Sequence, residues 1–131
     1  MISLQKTLIV LGLLITSQLP TASAQCVVLS RQGYLSHNDP VGRVRFNCHY
    51  DTHTVYLQAG CPYTIDLTGC FDTYLRVESG CGCHVLAEND DGGHGLNSRI
   101  YFTPTRSGIY RLLTTSYRQG DTGNYHLTVR R

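Results

Sequence analysis

The sequence predicts an all-β fold, a jelly-roll-like β-sandwich of short antiparallel strands. Three observations lead there. Apolar residues alternate with polar ones over short runs. Gly, Pro, Asn, Asp and Ser punctuate those runs about every 8–12 residues, as in sandwich folds. No segment past the N-terminal apolar stretch sustains the 3.6-residue period of an amphipathic helix. Each such strand has one apolar face, so two sheets must stack to bury both sets.

The elements follow in order. Val55, Leu57 and Ala59 alternate with polar neighbours, and Gly60 ends the run. Tyr63, Ile65 and Leu67 form a second run closed by Gly69, and Phe71, Thr73, Leu75 and Val77 a third closed by Ser79-Gly80. His84–Ala87 is a short strand, and a long glycine-rich turn covers Glu88–Leu96. Arg99–Thr103, Ile109–Ser116 and the run Tyr125, Leu127, Val129 complete the series. Before Arg43 the pattern is less regular, and His37–Gly42 (HNDPVG) reads as a loop of turn formers.

Residues 1–24 stand apart. Lys6 supplies a weak positive start, Leu8–Ile15 (LIVLGLLI) an apolar core, and Ala22-Ser23-Ala24 the small residues of a cleavage site. The run is shorter than the roughly 20 residues needed to span a bilayer. A cleaved secretory signal over 1–24 and a single domain over 25–131 are therefore expected, with no membrane span. A lipoprotein acylated at Cys26 is disfavoured by Gln25, where a small residue is the rule. The formal charge of the whole chain is +2. Such a near-neutral balance does not favour nucleic acid as a partner, because counterion release requires clustered positive charge.

All six cysteines, Cys26, Cys48, Cys61, Cys70, Cys81 and Cys83, follow the signal and are disulfide candidates. Cys61 and Cys70 bracket an extended run too long for a bond between them. A strand returning from Phe71 would bring the Ser79–Cys83 turn beside Cys61, which favours a bond from Cys61 to Cys81 or Cys83. A bond between Cys81 and Cys83 is the more strained alternative. Zinc, held by Cys81, Cys83 and His84 with Cys48, His49 and His53, is the rival reading, but the spacing follows no structural zinc pattern.

Catalytic signatures are absent. There is no nucleophile elbow, no HExxH pair, and an exported six-cysteine domain is expected to have no thiolate to spare. Asp90 and Asp91 are adjacent, which in an extended segment turns them to opposite faces and spoils a glycosidase-type pair. Calcium suits the turn better, since it takes six to eight oxygen ligands. Asn89, Asp90 and Asp91 offer three oxygen side chains ahead of two glycines, and Asp72 and Asn97 lie in neighbouring loops. The plain alternative is a tight turn capped by its own Asx side chains. Among nine tyrosines, Tyr110, Tyr117 and Tyr125 are candidates for an aromatic surface that binds sugars or extended peptides. The competing reading makes them ordinary core and rim.

Five pieces in order, VYLQAGCPYTIDL, CFDTYLRVESG, HVLAENDDGG, NSRIYFTPTRSGIYRLLTTSY and GDTGNYHLTVR, span Val55–Arg130. Together they resemble the bacterial pre-peptidase C-terminal domain family, and GYLSHNDP from Gly33 resembles its opening strand and turn. The resemblance implies a jelly-roll-like sandwich that accompanies exported enzymes, is not itself catalytic, and in related domains binds extracellular polymers or calcium. Asp72, Asp90, Asp91 and Asn97-Ser98-Arg99 match the family's polar positions. Two features are expected to depart from that pattern: a free-standing domain with no peptidase ahead of it, and more cysteines than the family needs. The expected function is a secreted, non-catalytic module that binds an extracellular protein or polysaccharide, with calcium bracing its acidic turn. A structural envelope protein without a ligand is the first alternative, and a small metal-dependent hydrolase the second.

Overall fold

A computed structural model describes residues 24–131. The expected signal segment lies outside the described residues, apart from Ala24. Eight strands form: β1 (Val27–Leu35), β2 (Tyr50–Leu57), β3 (Tyr63–Gly69), β4 (Thr73–Ser79), β5 (Val85–Asn89), β6 (Ser98–Phe102), β7 (Gly108–Ser116) and β8 (Gly123–Arg130). They build two four-stranded antiparallel sheets, ordered β1-β8-β3-β6 and β2-β7-β4-β5. The expected all-β sandwich is therefore the observed one.

Period-two patterning explains the core. Leu127 and Val129 of β8, Ile65 and Leu67 of β3, Leu75 and Val77 of β4, and Leu112 of β7 are all solvent-inaccessible and meet between the sheets. Their neighbours in sequence point outward, as the pleat requires. Strand β1 emerges where the sequence looked irregular. Its exposed edge position needs few apolar residues, and Leu29 and Leu35 alone anchor it in the core. Gly33 pairs with Tyr125 in the β1–β8 ladder, and a Cβ there would fall 2.3 Å from the tyrosine ring.

The chain changes sheets at nearly every turn. Among the eight strands only β4 and β5 are both consecutive and paired. This corrects the favoured disulfide. Strands β3 and β4 are not hairpin partners; they lie in opposite sheets, so the turn after β4 does not return to Cys61. Cys81 bonds Cys83 instead. Cys26, Cys48, Cys61 and Cys70 carry no disulfide, which corrects the expectation of a fully cross-linked domain. Each sits at a different place: the start of β1, the approach to β2, and the turns before and after β3.

The segment Val41–Cys48 lies over the outer face of β2-β7-β4-β5 as a strap. Arg76 of β4 donates to the Val44 carbonyl at 3.1 Å, Arg43 binds Glu78 of β4 at 2.7 Å, and Gly42 N–H bonds the Cys48 carbonyl at 3.1 Å. Arg45 sits over the rings of Tyr74 and Tyr117, 4.9 and 4.2 Å from their centroids. Val44, Cys48 and Leu113 are buried here, outside the main core cluster.

Candidate functional site: the open face of the first sheet

Among the described residues, no segment is bonded across the outer face of β1-β8-β3-β6 in the way the strap covers the other sheet. Two adjoining concavities share Thr68, Asn97 and His126 and have volumes of about 410 and 280 Å3. Polar side chains floor them. Gln32 comes from β1, Asn124, His126 and Thr128 from β8, and Thr68 from β3. His126 Nε2 lies 2.8 Å from Ser30 Oγ, which ties the edge strand to its neighbour.

A three-charge unit closes one end. Asp66 of β3 is held between Arg99 of β6, at 2.5 Å, and Arg130 of β8. The register places Asp66 opposite Arg99 on one side and Thr128 on the other, so both guanidiniums reach it across the sheet. The carboxylate is mostly covered, while the two arginine side chains keep 37% and 33% of their surface exposed. Asp66 raises the affinity of Arg99 for its proton still further, through a hydrogen bond first and charge second. Aromatic side chains stand at the two edges of this face. Tyr34 on β1 and Tyr101 on β6 share the outward parity and are 58% and 75% exposed.

The tyrosines chosen from sequence occupy other places. Tyr110 and Tyr125 are buried in the main core, and Tyr117 is stacked under Arg45, so they form no common surface. This corrects the expected ligand-binding set. Tyr110 donates to the Arg106 carbonyl at 2.6 Å and meets Phe102 edge-on. Tyr125 spans the two sheets: its hydroxyl donates to Asp51 of β2 at 2.7 Å and lies 2.9 Å from His53 Nε2. Burial and the Asp51 bond push the Tyr125 phenol well above its ordinary range. Burial likewise pulls the His53 imidazole below its usual value, partly offset by Asp51 and reinforced by Arg31. The signal for Tyr34 and Tyr101 was present in strand parity, but it needed the β1 register and the identity of the edge strands.

The acidic turn is bent rather than extended. Asn89 Oδ1 accepts from Gly92 N–H at 2.7 Å and Arg99 N–H at 3.0 Å, and Asn97 Oδ1 accepts from Gly69 N–H at 3.1 Å. Both amide oxygens therefore brace backbone. Asp91 N–H donates to Asp90 Oδ1 at 3.0 Å, and the Asp90 carbonyl accepts from Ser98 Oγ at 2.9 Å. Asp72 is different. Its side chain is 11% exposed, its Oδ1 is buried without a partner, and only Arg118, at 3.8 Å, pairs its other oxygen. Burial raises the Asp72 carboxyl above its ordinary value, and the charges of Asp91, Asp90 and Asp121 add to the rise, while Arg118 opposes it. Among the described residues, no three His, Cys, Asp or Glu side chains already converge as metal ligands, and that includes the cysteines and histidines of the zinc reading. Among the same residues, no helix is long and apolar enough to cross a membrane.

The fold is shared with a solved structure, the pre-peptidase C-terminal domain of collagenase from Bacillus anthracis. The two chains superpose with a TM-score of 0.57 at 18% identity, covering 79% of this chain and 89% of the other. At that identity the likeness establishes the architecture. No protein-family profile and no curated protein matches the sequence.

Proposed function

We propose that the protein is a secreted, non-catalytic module that binds an extracellular protein or polysaccharide on the open face of β1-β8-β3-β6. The observation that carries this reading is the composition of that face. Amide, hydroxyl and imidazole groups form its floor, Arg99 and Arg130 present half-exposed guanidiniums, and Tyr34 and Tyr101 stand exposed at opposite edges. Hydroxyls and amides of an extended polymer find donors and acceptors along the floor, and tyrosine rings offer flat apolar surfaces at modest entropic cost. The likeness to a domain of a collagenase supports a role beside a polymer-degrading enzyme. The decisive experiment measures retention of the protein on insoluble polysaccharides and on fibrous protein. Tyr34→Ala with Tyr101→Ala should abolish retention while the melting temperature holds. Equal retention of the double variant, or no retention of the wild type on any polymer, would refute the reading.

Calcium is the second element of the proposal. Asp72, Asp90 and Asp91 would hold it, with water completing the oxygen shell, and the buried unpartnered Oδ1 of Asp72 is the observation that favours it. The ion supplies positive charge where three carboxylates repel, and so braces the turn. Binding only the folded form raises its melting temperature. Coincident melts in millimolar calcium and in chelator would exclude the ion, and a shift that survives Asp91→Ala would exclude this site.

A further inference from the structure

The β4–β5 hairpin, the single consecutive paired connection among the described strands, carries the Cys81–Cys83 disulfide at its turn. Both cysteines are exposed. We infer that Cys81–Cys83 is an exchangeable disulfide, a site that trades electrons with the thiols of a partner protein. This goes beyond the binding function proposed above and does not depend on it.

Stability gives little reason for the bond. A disulfide stabilises mainly by restricting the unfolded chain, and the effect shrinks with the size of the loop closed. Here the loop encloses one residue, Gly82. The surroundings instead favour a thiolate. Gly82 adopts a left-handed φ of 71°, and a Cβ on it would lie 2.6 Å from Arg111 Nη1 and 2.7 Å from Arg43 Nη2. Two guanidiniums therefore press directly on the turn, and Arg43 also donates to the Gly82 carbonyl at 3.1 Å. Glu78 pairs with Arg43 and Glu88 with Arg76, while Arg111, opposite Glu78 in the ladder, makes no salt bridge among the described residues, so the three arginines outnumber the two carboxylates. Cationic neighbours of this kind lower thiol pKa values and speed exchange.

The two sulfurs are not equivalent. Cys83 N–H donates to Cys81 Sγ at 3.3 Å, and Ser79 Oγ lies at the same distance of 3.3 Å. The Cys81 sulfur, bonded to Cys83, carries no proton, so the Ser79 hydroxyl is the donor to it, while its oxygen accepts from His84 N–H at 3.2 Å. Cys81 is thus the better-stabilised thiolate and the leaving group. A partner thiolate attacks Cys83 Sγ, forming a Cys83–partner disulfide, and Cys81 departs with the electron pair of the broken bond. A second partner thiol, losing its proton, attacks the partner sulfur of that mixed disulfide and expels Cys83. The partner dithiol has then lost two electrons and two protons, and Cys81 and Cys83 have become two thiols. A small disulfide such as glutathione disulfide regenerates the bond by the reverse steps.

The test equilibrates the purified protein in glutathione buffers of graded ratio, alkylates it, and quantifies the Cys81–Cys83 peptide by mass spectrometry. The pair should pass from oxidised to reduced within the range of those buffers. Cys81→Ser, offered glutathione disulfide, should hold a mixed disulfide between Cys83 and one glutathione, with the other glutathione released as its thiol. In the reduced protein at neutral pH, Arg111→Gln should slow alkylation of Cys81 several-fold, and Arg111→Lys should restore it. Ser79→Ala, which leaves the ion pairs intact, should slow it to a smaller degree. A pair that stays in one state at every ratio, or alkylation rates unchanged in both Arg111→Gln and Ser79→Ala, would overturn the inference.

Discussion

Both outer faces of the sandwich carry the same unit, a carboxylate held between two arginines, and they use it oppositely. On β2-β7-β4-β5, Glu78 lies between Arg43 and Arg76, and it is 2% exposed. One of those arginines arrives from the strap, 35 residues away in sequence. On β1-β8-β3-β6, Asp66 lies between Arg99 and Arg130, both supplied by flanking strands of the same sheet. The first unit fastens a loop over the sheet and creates a satellite core around Val44 and Leu113. The second leaves its guanidiniums facing a cleft. The lesson is that an ion triad has no fixed role. Its work depends on whether a ligand arrives from the same chain or is left to come from outside.

The comparison can be broken most severely at Glu78. Glu78→Ala strips the counter-charge from two arginines under the strap, and removing one member of a buried pair costs on the order of 3 kcal/mol. At about 4–8 °C per kcal/mol for a domain of this size, the fall in melting temperature should exceed 10 °C in a thermal scan. Arg43→Ala removes only the half-exposed member and the tether of the strap. The expected loss is about 1 kcal/mol, accompanied by faster amide exchange across residues 41–48 in a hydrogen-exchange experiment. Arg99→Ala, on the open face, should cost less than that, because Arg130 still pairs the covered Asp66 carboxylate. It should nonetheless weaken polymer retention, which is the asymmetry the two triads predict. If Arg43→Ala weakened retention more than Arg99→Ala, the assignment of the two faces would be reversed.

Two smaller effects depend on pH. The folded state holds His53 below its ordinary value of 6.5, so the unfolded chain takes up the proton first. Stability should therefore decline as pH falls below about 6.5, and His53→Gln should flatten that part of the melting profile. Asp72 has the opposite sign of shift: folding raises its carboxyl above 3.8. The stabilising form is the protonated one, and its contribution is lost as pH rises through the raised value. In chelator at neutral pH, Asp72→Asn should melt slightly higher than wild type. The same variant should lose any calcium-dependent shift.

The resemblance read from five sequence pieces points to the architecture that the structural superposition supports. Residue type served less well for individual positions. Asn89 and Asn97 were selected for their oxygens, and in the fold those oxygens are occupied by backbone amides. Tyr125 was selected as an exposed ring, and it bridges the two sheets instead. Residue type alone does not distinguish an oxygen that coordinates from one that caps, because both tasks need the same group and differ only in which way it points.

Alternation and turn chemistry located the strands from β3 to β8 and the Val55–Leu57 end of β2, but not its Tyr50–Thr54 half. They could do so because side-chain parity along a strand and the conformational needs of a turn are local properties. Which strands became neighbours was not local. The chain passes between sheets at almost every turn, and only three-dimensional pairing set Tyr34 and Tyr101 at opposite edges of one face, sent the Val41–Cys48 strap over the other, and left Cys61 without the Cys81 or Cys83 partner that a simple hairpin would have given it. Pairing depends on how two apolar faces stack, a property of the whole set of strands that no single run of residues contains.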